Sequence, residues 1–147
     1  MSYTQKARDL GIDLPENQEA GYLNLCIRTG NLLITSGHVS DQKGIVGDSV
    51  STDEAYAAAK DCAVKILQSV YAEHGTLDDL KVIKLLGCVY SKPEYTDQHL
   101  VINGASDLYH EIFGKSSDGY HARSALGFAA LPTGASVEIE AIFEIKS

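Results

Sequence analysis

Arg123 stands in the run Ala122-Arg123-Ser124-Ala125-Leu126-Gly127, among neighbours too small to cover a guanidinium. A planar, permanently charged group left open in this way suits a carboxylate, which it grips through two parallel hydrogen bonds. The competing reading is an ion pair within the protein, for which 20 Asp and Glu residues supply partners. Glu138, Glu140 and Glu144 share one parity of a later alternating run, and such a row is ordinarily a solvated strand face. Ser36-Gly37-His38 closes a β-prone run, where a Ser-Gly terminus exposes backbone N–H donors. The histidines at 38, 74, 99, 110 and 121 show neither HExxH nor another metal-ligand spacing, so no metal is expected. His74 and His110 read as helix-end or surface residues, whereas His121, two residues before Arg123, can line the same cleft. Gly30, Gly37, Gly44 and Gly47 lack the strand, Gly-rich turn and helix spacing of a phosphate or dinucleotide loop, so no cofactor is expected.

The elements that position these residues follow from periodicity. Residues 123 to 131 form one extended apolar run and 135 to 145 alternate, with Pro132-Thr133-Gly134 between them; this predicts a β-hairpin. If residue 131 faces 135, Arg123 lies opposite Phe143 and Glu138 is five residues along, about 16 Å away. The two cannot then meet within one chain. A shared site needs Glu138 from a neighbouring subunit, and a bulge near Gly127 to correct its facing.

Upstream, Tyr22 to Arg28 and Leu32 to Ser36 read as a hairpin turning at Thr29-Gly30-Asn31. Ser51-Thr52-Asp53-Glu54 has capping-box form and opens a helix ending at Gly75. Val82 to Tyr90 is apolar on both parities, the pattern of an inner strand covered on both faces. A second helix runs from Thr96 or Asp97 to Phe113 with Gly114 as its stop, and 115 to 121 form a loop. Residues 1 to 20 read as an irregular, surface-packed extension. The order ββαβαββ gives an α+β fold, a mixed sheet with two helices on one face. The apolar second face predicts a covering partner chain.

Composition bounds the rest. A chain of 147 residues, 44% apolar and 22% charged, fits one globular domain over 1 to 147. No segment is apolar enough to span a membrane, and the N-terminus lacks an apolar signal core, so a cytoplasmic protein is expected. Cys26, Cys62 and Cys88 are odd in number and widely spaced, which predicts buried free thiols. The net charge of -8 makes nucleic acid an unlikely partner, because such binding draws on Lys and Arg.

Ala122-Arg123-Ser124-Ala125, followed by Leu131-Pro132-Thr133-Gly134-Ala135-Ser136-Val137-Glu138-Ile139-Glu140, resembles the C-terminal signature of the YjgF/RidA family. These are reactive-intermediate (enamine/imine) deaminases, once also described as endoribonucleases. Gly30 to Gly37 is similar to the family's second strand, and Leu10-Gly11-Ile12-Asp13-Leu14-Pro15 resembles a longer subgroup. The resemblance implies a chorismate-mutase-like fold, a homotrimer and ligand clefts between subunits. It implies Arg123 as the anchor of a small carboxylate ligand and Glu138 in water activation or imine chemistry. Ser36 and Gly37 would contact the ligand. Two positions depart from the pattern. Leu23 stands where many members place a tyrosine, with Tyr22 one residue earlier and Tyr120 as a substitute; Ala125 stands where cysteine is frequent. The implied activity is hydrolytic deamination of enamine or imine acids. The alternative is a trimeric 2-keto acid binding or chaperone-like protein without efficient turnover, and the acidic composition counts against an endoribonuclease.

Overall fold

The computed structural model describes residues 1–147, beginning with a helix that the sequence pattern did not predict. In α1 (Tyr3–Asp9) the Ser2 side chain accepts from the Gln5 N–H and caps the helix. Ala7, Ile12 and Leu14 then enter the core. Seven residues are too few for a visible apolar period, so the signal was local: a serine cap and three buried anchors. The N-terminal segment is packed, as expected; Tyr3–Asp9 is helical, and the stretch from there to residue 20 is irregular as read.

The first hairpin pairs β1 (Cys26–Thr29) with β2 (Leu32–Thr35), Thr29 opposite Leu32 across Gly30-Asn31. Residues 22 to 25 lie outside the strand, which is shorter than predicted. His38 and Val39 form a separate short strand, β3, on the last strand of the sheet. The capping box is present: Ser51 and Glu54 exchange side-chain bonds with each other's backbone N–H at the start of α2 (Thr52–His74), and Gly75 ends it. The inner strand β4 spans Leu80–Tyr90 and α3 spans Gln98–Phe113. Beyond it the predicted loop begins with a π-helical turn, Gly114–Asp118, broken by non-helical backbone at Ser116 and Ser117, and 119 to 121 are irregular as expected. Asp118 accepts from the Tyr3 hydroxyl (2.6 Å) and pairs with Lys146, tying this turn to α1 and to the C-terminus.

The largest correction concerns the signature region. Strands β5 (Ala122–Phe128) and β6 (Val137–Ile145) do not pair with each other. The sheet order is β1-β2-β6-β4-β5, with β4 inserted between them, antiparallel to β6 and parallel to β5. The predicted hairpin read the Pro132-Thr133-Gly134 turn as a tight connection. The connector instead runs from 129 to 136 and crosses the end of β4. A strand apolar on both parities gains most from the inner position, and β4 takes it. β5 pairs in unbroken register; the one irregularity lies in β4, between Val82 and Lys84, not near Gly127.

All three helices lie on one face of the sheet, over a core cluster of 31 buried residues. Tyr109, Phe113 and Phe143 stack edge-on or tilted at its centre. The opposite face carries a cross-strand row Ile27–Ile34–Ile142, and Ile27, Ile34, Leu126 and Phe128 remain exposed there. No helix is long and apolar enough to cross a membrane. Cys26 and Cys62 are buried free thiols, but Cys88 is only half-buried because it points to this open face.

Candidate functional site

Arg123 pairs in register with Leu85, whose side chain is buried beneath the helices. It therefore rises from the sheet edge on the helix side, against α3. There Nη1 donates to Asn103 Oδ1 (2.9 Å) and to Ser106 Oγ (3.1 Å), and Nη2 reaches the His99 carbonyl at 3.5 Å. His99, Asn103, Ser106 and His110 fall at spacings of four, three and four along α3, which places them on one helix face. No ion pair forms at Arg123. Burial pushes the guanidinium's pKa below its usual value, and the more distant Asp107 opposes this. Fixed by neutral acceptors and lacking a carboxylate, the guanidinium retains donors for a ligand.

His121 completes this arrangement. Its Nδ1 lies 2.7 Å from the Gly119 carbonyl, which only accepts, so Nδ1 carries the proton. Nε2 then accepts from the Ser106 hydroxyl at 2.9 Å. Ser106 thus receives a hydrogen bond from Arg123 and passes its own to His121. Burial lowers the His121 pKa, with His110 and Arg123 adding to the effect and the Gly119 carbonyl opposing it. The His110 ring packs at 5.4 Å from that of His121. Together with Asp107, Lys115 and Tyr120 these residues border an open recess of about 440 Å³.

A second group assembles at the bend between β2 and β3. Val39 pairs with Glu138 and His38 with Ile139, so the Ser36-Gly37 turn lies over the start of β6. A Cβ built on Gly37 would fall 2.1 Å from Glu138 Oε2; only glycine lets that carboxylate rest against the backbone. Glu138 has no ion-pair partner. Burial, then the neighbouring Glu140 charge, raise its pKa. The Ser36 hydroxyl is engaged, donating to the Asn24 carbonyl at 2.5 Å. His38 is held by Ser36 and Ser69 through its two ring nitrogens, both at 2.7 Å. That arrangement makes it a satisfied core histidine.

A model of one family, Endoribonuclease L-PSP, matches residues 15–145. The chain belongs to this family, the YjgF/RidA family. It is 44% identical over 105 residues to Protein TCP17 of Trypanosoma cruzi, a match that spans 71% of this chain but 65% of that protein's length. Among solved structures it is similar to Atu1372 of Agrobacterium tumefaciens, a protein of unknown function, at 42% identity and a TM-score of 0.88. That likeness covers 99% of this chain and 94% of the other, so the N-terminal segment falls within the shared fold. The RidA of an Antarctic Psychrobacter species is 26% identical with a TM-score of 0.56, over 88% and 93% of the two chains.

Within this family fold the two groups lie apart. Arg123 is level with Leu85 and Ala141, and Glu138 with Cys88. Three residues along and two strands across put their Cα atoms about 14 Å apart. Their side chains also leave opposite faces of the sheet: Val137, Ile139 and Ala141 are buried under the helices, and Glu138 alternates away from them. The offset of three residues replaces the predicted five, and one protomer still does not join them. Tyr22 is fully exposed and contacts neither group. Leu23 borders a different recess, with Asn24, Ser69 and Glu73. Ala125 shares Arg123's face but packs against the core. Tyr120 is the one predicted tyrosine beside Arg123, and it is 72% exposed. Sequence reasoning missed Asn103, Ser106 and His110; a polar stripe at helical spacing, on a helix whose other faces are apolar, was the available signal.

Proposed function

We propose that the protein is a hydrolytic deaminase of enamine and imine acids derived from amino acids, working as a homotrimer. The cleft would join Arg123 of one copy to Ser36, Gly37 and Glu138 of the next. The observation that carries this reading is Arg123 itself, a half-buried guanidinium oriented by Asn103 and Ser106 with no carboxylate of its own. The exposed apolar face bearing Ile27, Ile34, Leu126 and Phe128 supports association of copies. Light scattering should give about three times the 15.8 kDa chain mass.

In this mechanism Arg123 grips the substrate carboxylate and fixes the imine carbon. Glu138 accepts a proton from water as its oxygen attacks that carbon. Glu138 delivers that proton to the nitrogen, then moves the proton of the new hydroxyl to the same nitrogen; the oxygen closes to a carbonyl as the C–N bond breaks, and a 2-keto acid and ammonia leave. A carboxylate with a raised pKa is a better base than an ordinary one. Freshly generated 2-aminoacrylate tests the proposal: ammonia release should exceed the spontaneous rate and return to it in Arg123→Ala.

A second reading, a 2-keto acid binding or chaperone-like protein without efficient turnover, draws on the exposed Tyr22 and on Ala125, which supplies no thiol. It predicts Arg123-dependent binding of 2-keto acids with no acceleration of ammonia release. RNA cleavage, suggested by the family's description, is disfavoured by the charge of -8; it should vanish on purification.

A further inference from the structure

The recess beside Arg123 holds a second cation. Lys115, on the π-helical turn after α3, borders the same space, and like Arg123 it forms no ion pair. In a chain with 20 acidic and 12 basic residues, a cavity bordered by two unpaired cations and one carboxylate is a local reversal of the overall charge. The single carboxylate at the rim, Asp107, already accepts from the Tyr56 hydroxyl at 2.7 Å. His110 makes no hydrogen bond through its ring, and its pKa is lowered by burial and by the Lys115 and Arg123 charges, against Asp107. The walls are otherwise mostly polar: Asn103, Ser106 and His121 line the recess, and Tyr120 is its one hydrophobic residue.

We propose that this recess selects dicarboxylates: one carboxylate of the substrate or product sits on Arg123, and a second, on a short side chain, meets Lys115 and His110. The acids concerned are the 2-imino and 2-keto acids formed from acidic amino acids. This rests on Arg123 being the carboxylate anchor and adds a charge requirement at the far end of the ligand. A second anion fills the one region where unpaired cations converge, whereas an apolar side chain there leaves them unpaired and partly desolvated.

Calorimetric titration of the full-length protein with 2-oxoglutarate and with 2-oxopentanoate, equal in chain length, separates the two ideas. The diacid should bind about tenfold more tightly, the scale of one added charge-assisted contact. Lys115→Gln should remove most of that preference and leave the monoacid's affinity unchanged. Arg123→Gln should weaken both ligands. Equal affinities in the native protein, or an unaltered preference in Lys115→Gln, would overturn diacid selection while leaving the anchor intact. Binding of both acids undiminished in Arg123→Gln, or no binding of either to the native protein, would instead overturn the anchor and this inference with it.

Discussion

Substitution of Gly37 by alanine tests the placement of Glu138 without replacing any titratable residue. The new Cβ would lie 2.1 Å from Glu138 Oε2, while ordinary contact begins at 3.4 Å. The carboxylate oxygen must therefore retreat by about 1.3 Å, and a misplacement of about 1 Å at a catalytic group costs on the order of 10²-fold in rate. The obstacle is the far end of a flexible side chain, and Gly37 has no left-handed φ, so the fold should tolerate the change. Alanine also restricts the unfolded chain, a gain of about 0.4–1 kcal/mol that offsets part of the crowding. The expected result is a kcat for imine hydrolysis lowered about 10²-fold, with Tm moved by no more than about 3 °C. Gly104→Ala is the control. Its Cβ would meet the Tyr56 carbonyl oxygen at 2.1 Å, and backbone cannot swing aside. A loss of about 1–3 kcal/mol and a Tm lower by several degrees should follow, with kcat of the folded fraction preserved. An undiminished kcat in Gly37→Ala, measured beside an impaired Glu138→Gln, would refute the geometric reasoning; full activity in both would remove Glu138 from the chemistry.

Three further predictions follow from the same contacts. Glu140 is the second cause of the raised Glu138 pKa, so Glu140→Gln should move the acid limb of the kcat profile to lower pH while leaving its plateau in place. Ser106→Ala removes one acceptor from Arg123 and the hydroxyl donor from His121; KM or Kd for keto acids should rise about three- to tenfold, the scale of one hydrogen bond, with kcat less affected. Burial lowers the pKa of His38, His110 and His121 below the usual 6.5. The unfolded chain then binds protons more readily as pH falls from about 6.5 toward the folded values. Stability should be full above that window and decline through it, and His38→Gln should flatten the Tm profile between about pH 7 and 5.

The sequence carried the fold's elements better than their pairing. The capping box at Ser51, the apolar stripe of α2 and the two-parity run of β4 are local patterns, and each appears where its period predicts. Strand order is not local. Proximity in sequence favoured β5 against β6, and the gain from burying β4 on both edges outweighed it. The short helix α1 was hidden for a different reason: its stability comes from tertiary anchors such as Ala7 and the Tyr3–Asp118 bond, which seven residues of sequence do not display.

The same distinction explains what was legible of the site. Arg123, Glu138 and Gly37 sit in linear motifs: Arg123 was singled out by its type and small neighbours, Glu138 and Gly37 by their places in the family resemblance. Asn103, Ser106 and His110 become partners only when α3 packs across β5, and their chemistry depends on the order of donors and acceptors. Ser106 can donate to His121 because the Gly119 carbonyl fixes the proton on Nδ1. Protonating Nε2 would turn that acceptor into a donor and bring a second positive charge beside the guanidinium. The lowered His121 pKa therefore keeps Arg123 in place as much as it reflects Arg123's presence. A ligand carboxylate would relax this restraint by supplying the missing negative charge. For that reason the anchor, its serine and its histidine are best regarded as one unit, and substitutions within it should be non-additive in a double-mutant cycle. Ser106→Ala combined with His121→Gln should weaken keto-acid binding by less than the product of the two single effects. Strict additivity would show that the histidine does not act through the serine.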